Sequence, residues 1–305
     1  MKEALISKHL NCARFEGSHT ADAIHAELTR MLNDFSIREK VVCVTADNAQ
    51  NEKKAIKDLG YNYIGCYAHT LNLVVQDSIK STAGFDELHD KVAQVVSVTQ
   101  RSPSAKDQFE DAQRKVGCQI ILKLLQHVPH RWNSLYQMFD RFVQLKPAII
   151  LFLSEEEKRP EFTNEEWGAM KGLVTLLKPL YDVTTELCAE KHTTVSKIIP
   201  LTKILRAIYS RREQKDKTTM DLEKRLLSSI TIRFEHVESA HALSLATLLD
   251  PRYKGKGFER PEKIARAVQL LKEAAEFENK KHPEGSSQCA SSLTSQAKRV
   301  KFDSR

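Results

Sequence analysis

The spacing of apolar residues changes once along this chain, and that change limits the folds open to it. Through the first hundred residues, short β-branched runs alternate with helical patterns. Val41 to Thr45 predicts a strand buried on both faces, and Tyr61 to Cys66 predicts another. Between them, Asn48 to Leu59 predicts a helix stopped by Gly60. Upstream, ALISKHL and CARF within Glu3 to Phe15 suit one or two strands. Ser18-His19-Thr20 then offers a cap to a helix over about Ala21 to Asn33, whose apolar face carries Ile24, Leu28 and Leu32. A helix begins at His69 and runs through LNLVVQDSI. Such alternation implies an α/β layer over residues 1–100.

Around Gln100-Arg101-Ser102-Pro103-Ser104 the pattern breaks, and a linker is expected over 101–118. Beyond it only helical spacing remains, so 119–278 is expected to be all-helical. Trp132, Leu135, Phe139 and Phe142 share one face. Trp167, Met170, Val174, Leu177 and Tyr181 share a second, and Leu222, Leu226, Ile230, Phe234 and Val237 a third. These stripes read as core, with Pro147, Pro179 and Pro200 marking helix edges or kinks. The fold class is therefore α/β plus all-α. Residues 279–305 turn to Ser, Gln, Lys and Gly, the composition of a disordered tail. Within it, Lys298, Arg299 and Lys301 form a basic cluster of the kind that nuclear importers read, against the alternative of a solvated charge run.

Composition agrees with a helix-rich globular chain: 305 residues, 41% hydrophobic, with 10 Gly and 9 Pro. The net charge of +7 favours a polyanionic partner only weakly, because 47 basic and 40 acidic residues are interspersed. Six scattered cysteines without a C-x-x-C pair favour reduced thiols, as in cytosol or nucleus. No run approaches the 18 apolar residues of a membrane span.

Three short stretches carry polar groups in places where chemistry is done. In VVCVTADNAQN, Asp47 ends a strand and precedes a helix, a position that suits a metal ligand and equally a helix cap. In CYAHTLNL, Cys66 and His69 have half the ligands of a zinc site, but no second pair follows. His69 either hydrogen-bonds beneath the sheet or reaches toward Asp47. In HRWNS, Arg131 and Trp132 could meet a phosphate and an unpaired base, although a Trp at helical spacing also reads as core.

Taken in order, FEGSHTADAI, VTADNAQN, CYAHTLNLVV, HRWNSLYQMFDRF, the HTTVSKIIPLTKIL region and LATLLDPRYK resemble the hAT superfamily of DNA transposases and the BED-type zinc-finger proteins derived from such elements. The resemblance covers most of residues 8–258. It implies a partial ribonuclease-H-like core followed by a large helical insertion. It also implies that Asp47 corresponds to the second of three metal-binding acidic residues, in a motif that includes Asn48 and Asn51. Cys66 and His69 would lie by the active site, and Trp132, beside Arg131, would match a residue linked to DNA-hairpin handling. The ancestral cofactor would be Mg²⁺ or Mn²⁺. The family's first and third acidic residues, its dimerisation region and its BED finger have no match here. The resulting expectation is a non-catalytic, vestigial site that binds no cofactor, in a nuclear protein whose partners are DNA or other proteins. An additional expectation is that no second carboxylate lies close enough to Asp47 to share a cation. The alternatives are a fragment of an active transposase, or a protein-interaction role such as the SUMO-ligase function labelled on BED-type relatives.

Overall fold

A computed structural model describes residues 8–155, 159–188, 194–211 and 217–281. Two four-residue strands, β1 (Cys43–Ala46) and β2 (Asn62–Gly65), pair in parallel, with Cys43 opposite Asn62 and Ala46 opposite Gly65. Parallel strands require a crossover, and α2 (Gln50–Asp58) supplies it. Gly60, at φ +81°, turns the chain from α2 back toward β2, a conformation that glycine adopts without steric cost. Before β1, α1 (Ala21–Asp34) packs on α2, and the Thr20 hydroxyl accepts from the Ala23 amide at 3.2 Å to cap it.

Ten further α-helices follow among the described residues. They are α3 (Tyr67–Lys80), α4 (Phe85–Arg101), α5 (Pro103–Lys115), α6 (Trp132–Gln144) and α7 (Lys146–Ser154), then α8 (Asn164–Leu187), α9 (Ile198–Arg211), α10 (Lys217–Arg233), α11 (His241–Leu249) and α12 (Pro261–Lys281). α3 packs against α4, α6, α8 and α10, burying Leu71, Val74 and Val75 completely. Phe142 of α6 stacks on Trp167 of α8 with ring centroids 5.5 Å apart. Thr163 and Glu166 close a reciprocal capping box at the start of α8. Pro179 sits inside α8, and the Tyr209 hydroxyl donates to the Leu176 carbonyl near that turn, at 2.5 Å. The three apolar stripes line one continuous core that starts at Ile64 and reaches Ala267.

The chain is thus mostly helical with a small sheet, and several expectations change. Residues 8–15 form no strand, while Met1–Ser7 lie outside the described residues. β1 is not buried on both faces, because Thr45 is exposed and Val42 just before it is 80% exposed. The expected linker over 101–118 is largely α5. Ser102 accepts from the Ala105 amide at 3.2 Å and Pro103 occupies the first turn, so the residues read as a break are a helix start. Conversely, residues 119–131 form neither helix nor strand where an all-helical region was expected, with bends at 119–120 and a turn at 129–130. Gln113 holds that stretch through both polar groups of Leu122: its Oε1 accepts from the Leu122 amide at 2.9 Å and its Nε2 donates to the carbonyl at 3.0 Å. No described helix is long and apolar enough to cross a membrane.

Candidate functional site

The β1–α2 junction is built by a short polar network. Asp47 follows the last strand residue, and its Oδ1 accepts from the Ala49 amide at 2.8 Å. Ala49 itself is the N-cap of α2, with no side-chain cap, so Asp47 tightens the turn before the helix and is not its cap. Asn48 reaches the next helix: its Nδ2 donates to Thr70 Oγ1 at 3.0 Å, and its Oδ1 accepts from the Tyr63 hydroxyl at 3.3 Å. The same hydroxyl donates to the Asp47 carbonyl at 2.6 Å. Gly65 makes room for this arrangement, since a Cβ there would lie 2.5 Å from Asn48 Oδ1. Asn51 Nδ2 donates to the His19 carbonyl at 2.6 Å, tying α2 to the segment before α1.

A second carboxylate does stand beside Asp47. Glu52, in the first turn of α2, is held above the usual carboxyl range by burial, then by the negative charge of Asp47 and a hydrogen bond with it. The expectation of an isolated Asp47 is thereby corrected: five residues of strand-to-helix turn return Glu52 to it. Tyr63 is also pushed up, by burial first and then by Asp47, Glu52 and Cys66. Among the described residues, no group of three His, Cys, Asp or Glu side chains is placed to share a metal ion.

Cys66 is the N-cap of α3, without a side-chain cap bond. His69 lies half-buried one turn on, and the side chain that ties α3 to the junction is its neighbour Thr70. The third stretch meets α3 further along. Asn72 Oδ1 accepts from the Trp132 amide at 3.2 Å, so the polar face of α3 fixes the first residue of α6. Trp132 is 3% exposed, lies edge-on to Tyr181 with centroids 6.5 Å apart, and belongs to the core. Arg131, the exposed N-cap of α6, accepts from Ser134 Oγ through its carbonyl at 2.7 Å.

Asp47, Asn48, Asn51 and, through Thr70, the start of α3 are therefore brought together. Trp132 and Arg131 join by way of Asn72, further along α3. Glu52, Tyr63, Gly65, Thr70 and Asn72 were missed by sequence reasoning. Thr70 and Asn72 lie inside the quoted CYAHTLNL stretch, which was their one available signal. Lys298, Arg299 and Lys301 lie outside the described residues.

Two abutting family models match this chain: the ZBED1 RNase-like domain over residues 2–64 and the ZBED1 RNase-like helical domain over residues 64–176. Together they span more than half of the chain and meet at Ile64, where the continuous core begins. The chain is 27% identical to zinc finger BED domain-containing protein 4 of Homo sapiens over 235 residues, which is 76% of this chain and 20% of that protein. It is 24% identical to the putative AC transposase of Zea mays over 259 residues, 78% of this chain and 31% of the transposase. A putative transcriptional regulator, tpeD of Talaromyces stipitatus, is 24% identical over 284 residues, 81% of this chain and 32% of the regulator. The chain thus spans between a fifth and a third of the length of these relatives.

Proposed function

The chain belongs to the family of BED zinc-finger proteins related to hAT transposases, and from that premise we propose that it is a DNA-associated nuclear protein without strand-transfer activity of its own. In this reading the β1–α2–β2 unit is part of a ribonuclease-H-like sheet, and the helices beyond it are the insertion. The Asp47 junction carries the non-catalytic part. Two-metal phosphoryl transfer needs several ionised carboxylates converging on a pair of cations. Here Asp47 has Glu52 as a carboxylate neighbour, and among the described residues no third His, Cys, Asp or Glu is placed with them to share an ion. These two residues do not fit the Mg²⁺ or Mn²⁺ pair of the ancestral chemistry, and no step is routed through such ions. Asp47, Asn48, His69 and Trp132 are then vestiges of the site. The present work of Asp47 and Asn48 is to hold β1, α2 and α3 in register, and that of Trp132 is to fill the core.

The expected result is that the chain, incubated with linear duplex DNA and either cation, neither nicks it nor joins ends. Cleavage that disappears in Asp47→Ala would overturn the reading. Support for DNA association comes from the excess of basic residues and from the relatives named as a transposase and a transcriptional regulator. Nuclear entry is assigned to the Lys298-Arg299-x-Lys301 cluster. A fluorescent fusion carrying K298A, R299A and K301A together should leave the nucleus; unchanged accumulation would remove that assignment.

A further inference from the structure

The segment between α11 and α12 presents positive charge in an unusual frame. Lys254 to Gly257 form a single tight turn, with Lys254 in the left-handed region at φ +47°. A side chain other than glycine is held there only where packing compels it. Gly257 shows that packing: a Cβ on it would lie 2.8 Å from Thr247 Cγ2 of α11 and 3.2 Å from Pro200 Cγ of α9. Phe258, next in the chain, is 3% exposed and belongs to the core. The turn is thus clamped on its inner side by two helices.

Its outer side is basic. Lys254, Lys256 and Arg260 are exposed, and none of their side chains forms an ion pair among the described residues. Beneath them Lys203 of α9 donates to the carbonyls of Lys256 at 3.1 Å and Phe258 at 2.8 Å. Its charge is met there by carbonyl dipoles and by no carboxylate. Two neighbouring acids are paired with other cations, and a third lies against the backbone of the turn's exit. Asp250 pairs with Arg252 at 2.6 Å, Glu259 with Arg206 at 2.8 Å, and buried Glu238 accepts from the Glu259 and Arg260 amides. Glu238 and Glu262, the latter exposed in the first turn of α12, offset two of the four charges of Lys203, Lys254, Lys256 and Arg260, which leaves the turn net positive.

We propose that this turn, Lys254–Gly257 with Arg260 and the underlying Lys203, is a contact site for the phosphate backbone of duplex DNA. The proposal rests on the DNA-associated reading above and adds the place of contact. Cations fixed on a rigid turn lose little freedom on meeting phosphates, and each phosphate neutralised releases condensed counterions. Base edges are not read by such a contact, so it positions the protein without choosing a sequence.

The test is the salt dependence of binding to a duplex of arbitrary sequence, for the whole chain and for K254Q/K256Q/R260Q. Three lost phosphate contacts should flatten the log–log salt slope by about 2–3 and weaken binding near 0.1 M salt by roughly two orders of magnitude. A control, K40Q/K57Q/K171Q, removes three exposed cations scattered over other elements and should change the slope far less. Equal slopes for the parent chain and the turn variant would overturn the site while leaving DNA association intact. Equal losses in the turn variant and the control would also overturn it, since net charge alone would then explain binding. No salt-dependent binding by the parent chain would remove the DNA-associated reading, and this site with it. Matching thermal melts of all three proteins exclude misfolding as the cause.

Discussion

Residues before Ile64 and residues after it are held in place by different forces. Before it, Ala55 and Ile56 are the buried apolar side chains among the described residues, and α1 buries none of its own. Order there depends on polar ties that cross between elements: Asn51 to the His19 carbonyl, Tyr61 to the Arg38 carbonyl at 2.9 Å, Tyr63 to the Asp47 carbonyl, and Asn48 to Thr70. After it, apolar packing dominates, and α8 alone buries eight residues. A net hydrogen bond contributes about 1 kcal/mol, whereas truncating a buried aromatic costs about 3–5 kcal/mol. The sheet region therefore holds its shape through a few specific contacts, each replaceable only by another of the same geometry.

The contrast can be broken most directly in the core. Phe142→Ala, at a fully buried position, should lower unfolding stability by about 3–5 kcal/mol, while Leu28→Ala on half-buried α1 should cost well under half of that. Similar losses in denaturant titrations would show that the two regions share one kind of stabilisation. A smaller effect is expected at the last residue of β2. Gly65→Ala places a Cβ against Asn48 Oδ1, and should cost about 1–3 kcal/mol. Amide exchange in that variant should speed up in β1 and α2 and stay slow in α8; uniform acceleration would argue against a separable sheet region.

The smallest effect is a pH dependence of the helical part. His127 Nδ1 lies 3.1 Å from His89 Nε2, and burial first, then His89, holds its pKa below the ordinary 6.5. The unfolded chain therefore binds more protons than the folded one as pH falls below about 6.5. Stability should decline from there through the lower folded pKa, and level off beneath it. A melting series from pH 7.5 to 5 should show the decline in the parent protein and a shallower one in His127→Gln.

Much of this architecture could be read from residue spacing, because burial imposes a period. The stripes on α6, α8 and α10 and the strand–helix–strand order of β1, α2 and β2 follow from that alone. The errors came where local chemistry has two meanings. Ser102-Pro103 reads as a break in spacing, yet the same pair caps a helix and opens its first turn. The run from Ile120 to Val128 is apolar enough for a helix, yet it forms none, and Gln113, Gln100 and Arg141 bond its backbone carbonyls instead. Glu52 escaped notice because its approach to Asp47 depends on how tightly the turn between them closes, which no periodicity records. Asn72 escaped because its partner, the Trp132 amide, lies 60 residues away.

Gln113 also bears on the order in which the molecule assembles. Its amide grips Leu122 across nine residues, a loop whose closure costs little chain entropy, while α8 and α10 must be gathered from much further along the chain. The chain around Leu122 can therefore dock on α5 as soon as both have been synthesised. Trp132 would then be delivered to the growing core already tethered, before the helices that later enclose it exist.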